Sequence, residues 1–477
     1  MKNLLILAAV ALVAGLIALG SAPAHAAPAI HCVPDASIDV SCTDGHATIQ
    51  AAINHAASGD TVLVGAGTYT ATSLTDIVIT TNGLSLVGQD RDGTIIDGGA
   101  WGSSGAGWPR GIQVYANDVT IRDLTVRGFT GDMVNTGGYG IVFRDWAHDT
   151  AAEGYIFYSG GLVDNVKLEG NYSSMYALVH QHLTVSNSLI QNSSADGMFI
   201  ARESDYATVT GNTVLNSANH GIWVGYGWDA VGPSDNATIT DNLVDGAVEG
   251  GISFVASNTA LISGNRVTHV KGEEPEGAFG GWSRGAISLK DGVSNVTVSQ
   301  NEVYENDGLG TGSGRGIGVD GTSSNVSIVE NNIRDNAGGG IKIMGATSGW
   351  SANNNCIHGN TGYGAQNTTA STLDFENNWW GDSSGPSGSG PGSGDAVSTN
   401  VDFDPWLTAP ASVCAPTPTP TPPPGVGGTI ELHNGATAPS AQRSDSAALP
   451  YAALALAGAA AIAVASGAWY ARRRWIR

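Results

Sequence analysis

Apolar and polar positions alternate along much of the middle of the chain. Segments such as 237–244 (ATITDNLV) and 251–254 (GISF) make every second side chain apolar. A period of two residues predicts β-strands, because successive side chains of a strand point to opposite faces of the sheet. The three-and-four spacing of amphipathic helices is absent from these segments. The pattern therefore predicts many short strands joined by turns.

A short phrase built around asparagine returns with a period just above twenty residues, with insertions between some copies. A periodicity on this scale predicts a solenoid, in which each repeat forms one coil. An asparagine at the turn of every coil can bond its own turn, adopt left-handed geometry and bond its neighbours about 4.8 Å away. We therefore interpret these residues as scaffold and not as ligands. The asparagines are Asn187, Asn212, Asn242, Asn265, Asn301, Asn331, Asn355 and Asn377.

Two further segments carry a family resemblance. Residues 47–69 (ATIQAAINHAASGDTVLVGAGTY) predict a short helix with an apolar face of Ile49, Ala52, Ile53 and Ala56, followed by a strand. This segment and residues 377–407 resemble the capping helix and closing segment of right-handed parallel β-helix proteins of the pectin-lyase-like superfamily. The resemblance covers roughly residues 30–408 and implies an all-β solenoid with an N-terminal capping helix. It implies little about chemistry, because this fold carries many different sites.

The closing segment contains the adjacent pair Trp379 and Trp380. A stack of parallel coils ends in an open apolar core and an unpaired edge. We expect the two tryptophans to fill that end, with Val401, Phe403 and Trp406 folding over it. The alternative is that the tryptophans form a platform for a sugar.

The two ends of the chain predict export and anchoring. Residues 1–26 contain an apolar run and end in Ala24-His25-Ala26, the pattern of a secretory signal. Residues 447–471 are uncharged and long enough to span a bilayer, and the arginine-rich tail 472–477 follows on the cytoplasmic side. Residues 412–446, rich in Pro, Thr and Gly, predict a stalk. We therefore expect a single-pass cell-membrane protein whose β-helix domain, residues 27–411, lies outside.

Net charge limits the class of polymer that the protein can bind, and the cysteines predict its disulfides. The formal charge of −22 argues against nucleic acid, and it weakens without excluding an acidic polysaccharide as partner. In an exported chain the four cysteines predict disulfides, and we expect Cys32 with Cys42 and Cys356 with Cys414. Neither spacing resembles a zinc site. The chain has only five methionines and its histidines look dispersed, so we expect neither copper handling nor a set of metal ligands. Whether Ca²⁺ binds is left open.

Aligning the second strand of each repeat predicts a column of outward side chains. The aligned segments begin DGMFI (196–200), HGIWV (220–224), GGISF (250–254), RGAIS (284–288) and RGIGV (315–319), and continue with GGIKI (339–343) and YGAQN (363–367). Since the residue after each glycine points inward, the residue before it points outward. The catalytic candidates are Asp196, His220, Glu249 and Arg284. The candidates for substrate binding are Phe199, Trp223, Arg202, Arg315 and Lys342.

Several chemistries fit this column. Asp196 and Glu249, two coils apart, are predicted to lie about 9 to 10 Å from one another with His220 between them, which suits an inverting glycosidase. A lyase would need a Lys or Arg base beside a charge-neutralising ion, for which the candidates are Arg284, Lys290 and Asp291. The alternative is that these residues only form a solvated polar surface, with no catalytic or binding role.

Comparison with family motifs gives a partial match. The phrases at 195–197, 219–221 and 340–342 resemble polygalacturonase signatures in order, but the coil with paired aspartates is absent. The calcium aspartates of pectate lyases are not recognisable either. We expect a monomeric surface protein that binds or processes extracellular polysaccharide, as a lyase or glycoside hydrolase. The alternative is a non-catalytic structural or adhesive surface protein.

Overall fold

The computed structural model describes residues 27–73, 77–103, 107–131, 137–146, 154, 156–226, 232–272, 285–307, 314–345 and 348–415. The chain divides into two units, Met1–Gly428 and Thr429–Arg477, and only the first contains described residues. The described residues do not include the predicted signal, the stalk beyond residue 415, the membrane segment 447–471 or the basic tail. Among the described residues, no helix has the length and apolar character needed to cross a membrane.

The described strands stack into three parallel sheets, so that each coil gives one strand to each sheet in turn. Sheet A contains, in spatial order, Asp44–Gly45, Ile30–Val33, Thr61–Val64, Ser85–Gly88, Val119–Arg122, Tyr158–Asp164, His180–Ser186, Thr208–Thr210, Ala237–Thr240, Asn258–Ser263, Ser294–Ser299, Ser324–Val329, Ser351–Asn353, Leu373–Asp374 and Val401–Asp402. Sheet B contains Gly67–Thr70, Thr94–Asp97, Thr125–Arg127, Lys167–Glu169, Leu189–Gln191, Thr213–Leu215, Leu243–Asp245, Arg266–Thr268, Glu302–Tyr304, Asn332–Arg334 and Cys356–His358. Sheet C contains Val78–Ile79, Arg110–Val114, Tyr139–Phe143, Ser173–Leu178, Met198–Ala201, His220–Gly225, Gly250–Val255, Gly285–Lys290, Arg315–Val319, Ile341–Ile343, Tyr363–Asn367, Gly394–Val397 and Pro386–Gly388. The helical segments are Ile49–His55 and Gly99–Gly102, with 3₁₀ turns at Ala36–Ile38 and Ser412–Cys414.

The core is built from apolar residues that repeat from coil to coil. In sheet C, for example, Ile222, Ile252, Ile287 and Ile317 lie opposite one another on successive strands and are fully buried. Because side chains alternate along each strand, one set fills the interior and the other set points outward. This confirms the parallel β-helix.

An asparagine ladder runs along the turns between sheets A and B. Asn301 shows the unit: its Oδ1 accepts from the backbone N–H and the Nδ2 of Asn265, while its own N–H and Nδ2 donate to Oδ1 of Asn331. All four distances are 2.9 to 3.0 Å and the side chain is 1% exposed. The scaffold role is confirmed.

The predicted phase of this ladder is wrong at both ends. Ser188 and Asn378 occupy the ladder positions, and the assigned Asn187 and Asn377 come one residue earlier. These two have φ of 49° and 58°, the left-handed geometry that precedes each ladder residue. Asparagine tolerates that geometry, which explains its presence there. A second ladder, between sheets B and C, was not predicted and joins Asn306, Asn336, Asn360 and Asp395.

Both ends of the stack are closed. At the N-terminal end the helix Ile49–His55 buries Ile49, Ala52 and Ile53, as predicted. At the other end Trp380 is fully buried in the core and Phe403 and Trp406 pack against it. Trp379 is only half-buried and does not join the core, so the plug is one tryptophan and not two.

The four cysteines form the two disulfides that were predicted. Cys32 pairs with Cys42 beside the N-terminal cap, and Cys356 pairs with Cys414 at the far end. The second bond fastens the last described turn of the chain to a strand of sheet B. Each end of the solenoid therefore carries one covalent tie.

Candidate functional site

The outer face of sheet C carries the predicted column with one change. Asp196, His220, Gly250 and Arg315 lie at the same level of successive strands, as expected. Gly285, however, pairs with Arg315, so the predicted alignment of this repeat, with Arg284 in the column, is wrong by one residue. Arg284 itself lies outside the described residues.

His220 is the centre of a polar cluster on this face. Its Nδ1 lies 3.2 Å from Oδ1 of Asp196 and 3.6 Å from Oε2 of Glu249. The same Asp196 oxygen accepts the backbone N–H of His220, also at 3.2 Å. On the other side of the ring, Nε2 lies 3.5 Å from Nζ of Lys290. The imidazole thus joins a pair of carboxylates to an ammonium group.

The predicted 9 to 10 Å between the two carboxylates is wrong. Since both oxygens contact the same nitrogen, the sum of the 3.2 Å and 3.6 Å distances limits their separation to about 6.8 Å. The side chain of Glu249 reaches from its own coil to the ring of His220 on the preceding coil, which the strand spacing did not anticipate. The gap that an inverting glycosidase keeps for water between its carboxyl groups is taken up by the imidazole.

Lys290 is the member of the cluster that the column alignment missed. It lies on the strand Gly285–Lys290, two residues beyond Ser288 and opposite Val255. It is 4% exposed, and its Nζ lies 5.3 Å from the ring centroid of Trp223. The sequence analysis named Lys290 only as a lyase candidate. Extending the alternation by one more outward position past Ser288 would have assigned it to this face.

The predicted sugar platforms are packed instead of open. Phe199 and Trp223 are 2% and 6% exposed and belong to a second hydrophobic cluster, with Leu178, Val179 and Val255 on the outside of sheet C. Their accessibility to a sugar face was therefore predicted wrongly. The aromatic rings instead support the cluster, since Trp223 meets the His220 ring edge to face at 4.5 Å.

Arg202 also differs from its predicted setting. It was predicted to bind substrate, but it is 8% exposed and takes left-handed geometry with φ of 54°. Its backbone N–H donates to the carbonyl of Gly225 on the next coil. A burial of this degree removes it from the open surface on which direct substrate binding was predicted.

A row of rings continues the hydrophobic cluster toward the N-terminal coils. Tyr139 and Tyr176 have ring centroids 4.6 Å apart, Tyr176 and Phe199 5.2 Å, and Phe199 and Trp223 5.8 Å. The sequence analysis did not assign either tyrosine to the site. Burial raises the pKa of Tyr139 far above its usual value, so this hydroxyl stays protonated.

Toward the C-terminal coils the same face opens into a cleft of about 360 Å³. Two predicted binding residues, Arg315 and Lys342, line it together with Gln366 and the exposed ring of Tyr363. Burial and, after it, the charge of Arg315 lower the pKa of the Lys342 ammonium. The cleft therefore presents two cations and an aromatic ring; its binding role stays a prediction.

Histidines converge at a second place, where dispersed histidines were expected. His31, His46 and His55 surround Asp44 at the N-terminal cap. Among the described residues, His31, Asp44 and His55 form the one group of three whose ligand atoms are close enough to share a metal ion. The histidines of this part of the chain are therefore clustered and not dispersed, while the expectation of no metal site stays untested.

Comparison with solved structures finds matches of low identity. The A-module of mannuronan C-5 epimerase AlgE4 from Azotobacter vinelandii is 15% identical, over 75% of this chain and 93% of that one, with a TM-score of 0.42. The alginate lyase from Paenibacillus sp. str. FPU-7 is 14% identical, over 68% and 96%, with a TM-score of 0.37. The Dettilon tailspike protein is 15% identical, over 69% and 64%, with a TM-score of 0.37.

Comparison with sequences gives one family. No curated protein sequence matches the chain. The family model described as the right handed beta helix region matches residues 110–281 and 276–380, more than half of the chain. The matched residues include most strands of the three parallel sheets and all members of the His220 cluster. The chain belongs to the right-handed β-helix family.

Proposed function

We propose that the protein binds an extended polysaccharide containing uronic acids along the outer face of sheet C and cleaves it by β-elimination. The observation that carries the proposal is the setting of His220 between two carboxylates at Nδ1 and the Lys290 ammonium at Nε2. A base held beside a cation is what removal of the proton next to a sugar carboxylate requires.

Each member of the cluster has a part in this reaction. His220 takes the C5 proton, the electron pair of that bond forms the C4–C5 double bond, and the C4–O bond to the next sugar breaks. The imidazolium then returns the proton to the leaving oxygen. Asp196 and Glu249 stabilise the imidazolium, and Lys290 pairs with the sugar carboxylate, where negative charge develops.

The cations farther along the face account for the length of the ligand. Arg315 lies three strand spacings from His220, which is about 14 Å, and Lys342 lies four, which is about 19 Å. No single sugar unit spans that distance. These residues would therefore hold neighbouring units of the same chain, with Arg315 and Lys342 taking carboxylates.

A non-catalytic surface protein is the second candidate, and one observation favours it. The side chains of Asp196, His220 and Glu249 are only 10%, 6% and 22% exposed. A polar network buried to this degree can serve to fix the register of neighbouring coils. In that role it would be structural, and the cleft alone would bind carbohydrate.

Product chemistry separates the candidates. The purified full-length protein is incubated with uronate polysaccharides and with neutral glucans, and unsaturated products and new reducing ends are both measured. A lyase gives both signals on uronates only, and a hydrolase gives reducing ends without unsaturation. Binding without either signal supports the second candidate and ends the proposal of catalysis.

Substitutions then test the assignment of residues. His220→Gln should lower the cleavage rate about a hundredfold or more, the usual contribution of a general base. Glu249→Gln, the most exposed of the three, gives a second variant that folds more readily. Glu305→Gln is the matched control, because Glu305 is an exposed carboxylate whose partner is His269. Unchanged turnover in both site variants would place the chemistry elsewhere.

We further propose display at the cell membrane through residues 447–471. The support is the length and apolar character of this segment and the arginines that follow it. Truncation after residue 446 should release the protein into the medium, while the full chain stays with the membrane fraction and is cut by added protease on intact cells. Release of both forms would contradict anchoring.

A further inference from the structure

The N-terminal cap contains three histidines and two aspartates that belong to separate segments. His31 lies on a strand of sheet A, Asp44 on the short strand beside it, and His55 ends the capping helix. His46 follows the strand of Asp44 by one residue. These segments are brought together only by the fold, since 29 residues separate His31 from Asp60, the second aspartate, along the chain.

All three imidazoles point a nitrogen at the carboxylate of Asp44. Nδ1 of His31 lies 2.8 Å from Oδ1, Nε2 of His46 lies 3.1 Å from Oδ1, and Nε2 of His55 lies 3.4 Å from Oδ2. In a tetrahedral zinc site with bonds near 2.0 to 2.1 Å, neighbouring ligand atoms are about 3.3 Å apart. The distances from the carboxylate to the nitrogens are close to this value, and the ligand atoms of His31, Asp44 and His55 all lie within 4.8 Å of one another.

His31 is held as a metal ligand is held. Its other nitrogen, Nε2, lies 3.1 Å from Oδ2 of Asp60, and this carboxylate also accepts the backbone N–H groups of Ala29 and Ala57. A carboxylate behind a ligating histidine fixes the ring and its tautomer, which is the usual outer shell of a metal site. His31 is 4% exposed and Asp60 is 8% exposed, so this arrangement is built into the fold.

Both ring nitrogens of His31 face carboxylate oxygens, Nδ1 at 2.8 Å from Asp44 and Nε2 at 3.1 Å from Asp60. A protonated imidazole donates to both carboxylates. A metal ion bound to Nδ1 and to Asp44 would replace the first of these contacts and leave Nε2–H donating to Asp60. The two states differ in whether an ion is bound, which a metal titration measures.

We propose that His31, Asp44 and His55, with His46 as the fourth ligand, bind one Zn²⁺ or a similar divalent transition metal. Imidazole nitrogens with a single carboxylate suit zinc, whereas Ca²⁺ takes an all-oxygen set. The four ligands close the site, so its role is structural. The metal ties the capping helix to the first strands, next to the Cys32–Cys42 disulfide.

Metal binding to the full-length protein tests this proposal directly. After removal of metal with a chelator, Zn²⁺ titration should show one site, and Co²⁺ should give the intense visible absorption of tetrahedral coordination. Ca²⁺ should neither bind there nor displace Co²⁺. The absence of binding by Zn²⁺ and Co²⁺ would overturn the proposal and leave an ion-pair cluster.

Variants locate the ion. His55→Ala removes a ligand whose side chain is 63% exposed, so the fold should survive while Zn²⁺ affinity falls at least about tenfold and the cobalt spectrum is lost. His182→Ala is the matched control, because His182 is an exposed histidine far along the chain that stacks on Tyr206. Retention of the site in His55→Ala, or its loss in His182→Ala, would refute the assignment.

A second readout is thermal stability. Zn²⁺ should raise the melting temperature of the unsubstituted protein and of His182→Ala, since an ion that binds only the folded state stabilises it. His55→Ala should show no such shift. Equal shifts in all three proteins would indicate a metal bound elsewhere and would also refute the proposal.

Discussion

At the scale of the residue, buried asparagine side chains supply hydrogen-bond partners for backbone groups at the turns. Each ladder asparagine from Asn212 to Asn355 uses one amide group to bond the backbone of the preceding coil and the side chain of the next ladder residue. The Nδ2 of Asn301, for example, also donates to the carbonyl of Ile262 at 2.9 Å. A buried polar group left without a partner costs about 1 to 3 kcal/mol. The ladder is therefore a set of interdependent bonds, in which the loss of one side chain exposes several groups.

Removal of one ladder residue gives the first prediction. Asn301→Ala should lower the free energy of unfolding by about 3 kcal/mol, because the N–H of Asn265 and the carbonyl of Ile262 lose partners inside the protein. Urea denaturation measures the change. Asn187→Gly is the control: Asn187 is exposed, lies outside the ladder and has φ of 49°, which glycine adopts freely. Equal losses in both variants would contradict the ladder.

A buried histidine gives a prediction about pH. His180 is 1% exposed, its Nε2–H donates to the carbonyl of Gly160 at 2.6 Å, and its ring meets Phe143. Burial lowers its pKa from 6.5 to about 4. Between these two values the unfolded chain binds a proton that the folded protein does not. The contribution of His180 to the free energy of unfolding is therefore fully present above about pH 6.5 and is lost as the pH drops toward 4.

The size of this effect follows from the shift. The contribution of His180 amounts to at most about 3 kcal/mol between pH 7 and pH 4. In His180→Gln the free energy of unfolding should therefore fall less steeply with acid than in the unsubstituted protein. His182→Gln, two residues away and exposed, should keep the original slope. Parallel slopes for all three proteins in urea denaturation would show that His180 is protonated when folded.

At the scale of the element, the strands were predictable and their phase was not. A period of two makes each strand visible, but an alignment slipped by one residue is as regular as the correct one. The segment RGAIS was aligned on its glycine, which put Arg284 in the column. Alignment on the inward isoleucines, Ile252, Ile287 and Ile317, gives the observed register and selects Gly285. Buried side chains set the register, so they are the better guide.

The candidate site was only partly predictable for a related reason. Asp196, His220 and Glu249 were found because they flank glycines in aligned repeats. Lys290 lay beyond the aligned window, and the cluster around Asp44 belongs to no repeat at all. Contacts between side chains of unequal length on different coils depend on reach and packing, which a repeat alignment does not contain. That is also why the separation of the two carboxylates was overestimated.

The C-terminal cap gives a prediction about elements. Trp380→Ala should destabilise the last coils by about 3 to 5 kcal/mol, because a fully buried indole is replaced by a cavity at an open end. Trp379→Ala, with a half-buried side chain outside the core, should cost much less. Hydrogen exchange should then quicken in the strands Cys356–His358 and Tyr363–Asn367 of Trp380→Ala. Similar exchange in both variants would contradict the single-tryptophan plug.

At the scale of the whole molecule, the stacking of coils aligns three cations on sheet C. The chain carries 20 Lys and Arg against 42 Asp and Glu, yet Lys290, Arg315 and Lys342 follow one another on successive strands of sheet C. A negative molecule repels an anionic polymer at long range. Charges more than a Debye length of about 8 Å away are screened, so the charges nearest to a bound polymer determine the sign of the interaction. The stacking of coils thus makes a basic track from residues that are about 25 residues apart in sequence.

The length of that track predicts how affinity depends on the length of the ligand. Uronate oligosaccharides that cover only the His220 coil should bind weakly, and affinity should rise until the ligand spans the roughly 19 Å to Lys342, then level off. Arg315→Gln and Lys342→Gln should each weaken binding of long oligosaccharides and leave that of short ones unchanged, which calorimetry over a length series measures. Arg122→Gln, on sheet A, is the control and should change neither. If the two variants weaken short and long ligands equally, the cations do not form one track with His220, because only an extended ligand bound along the coils makes their effect depend on its length.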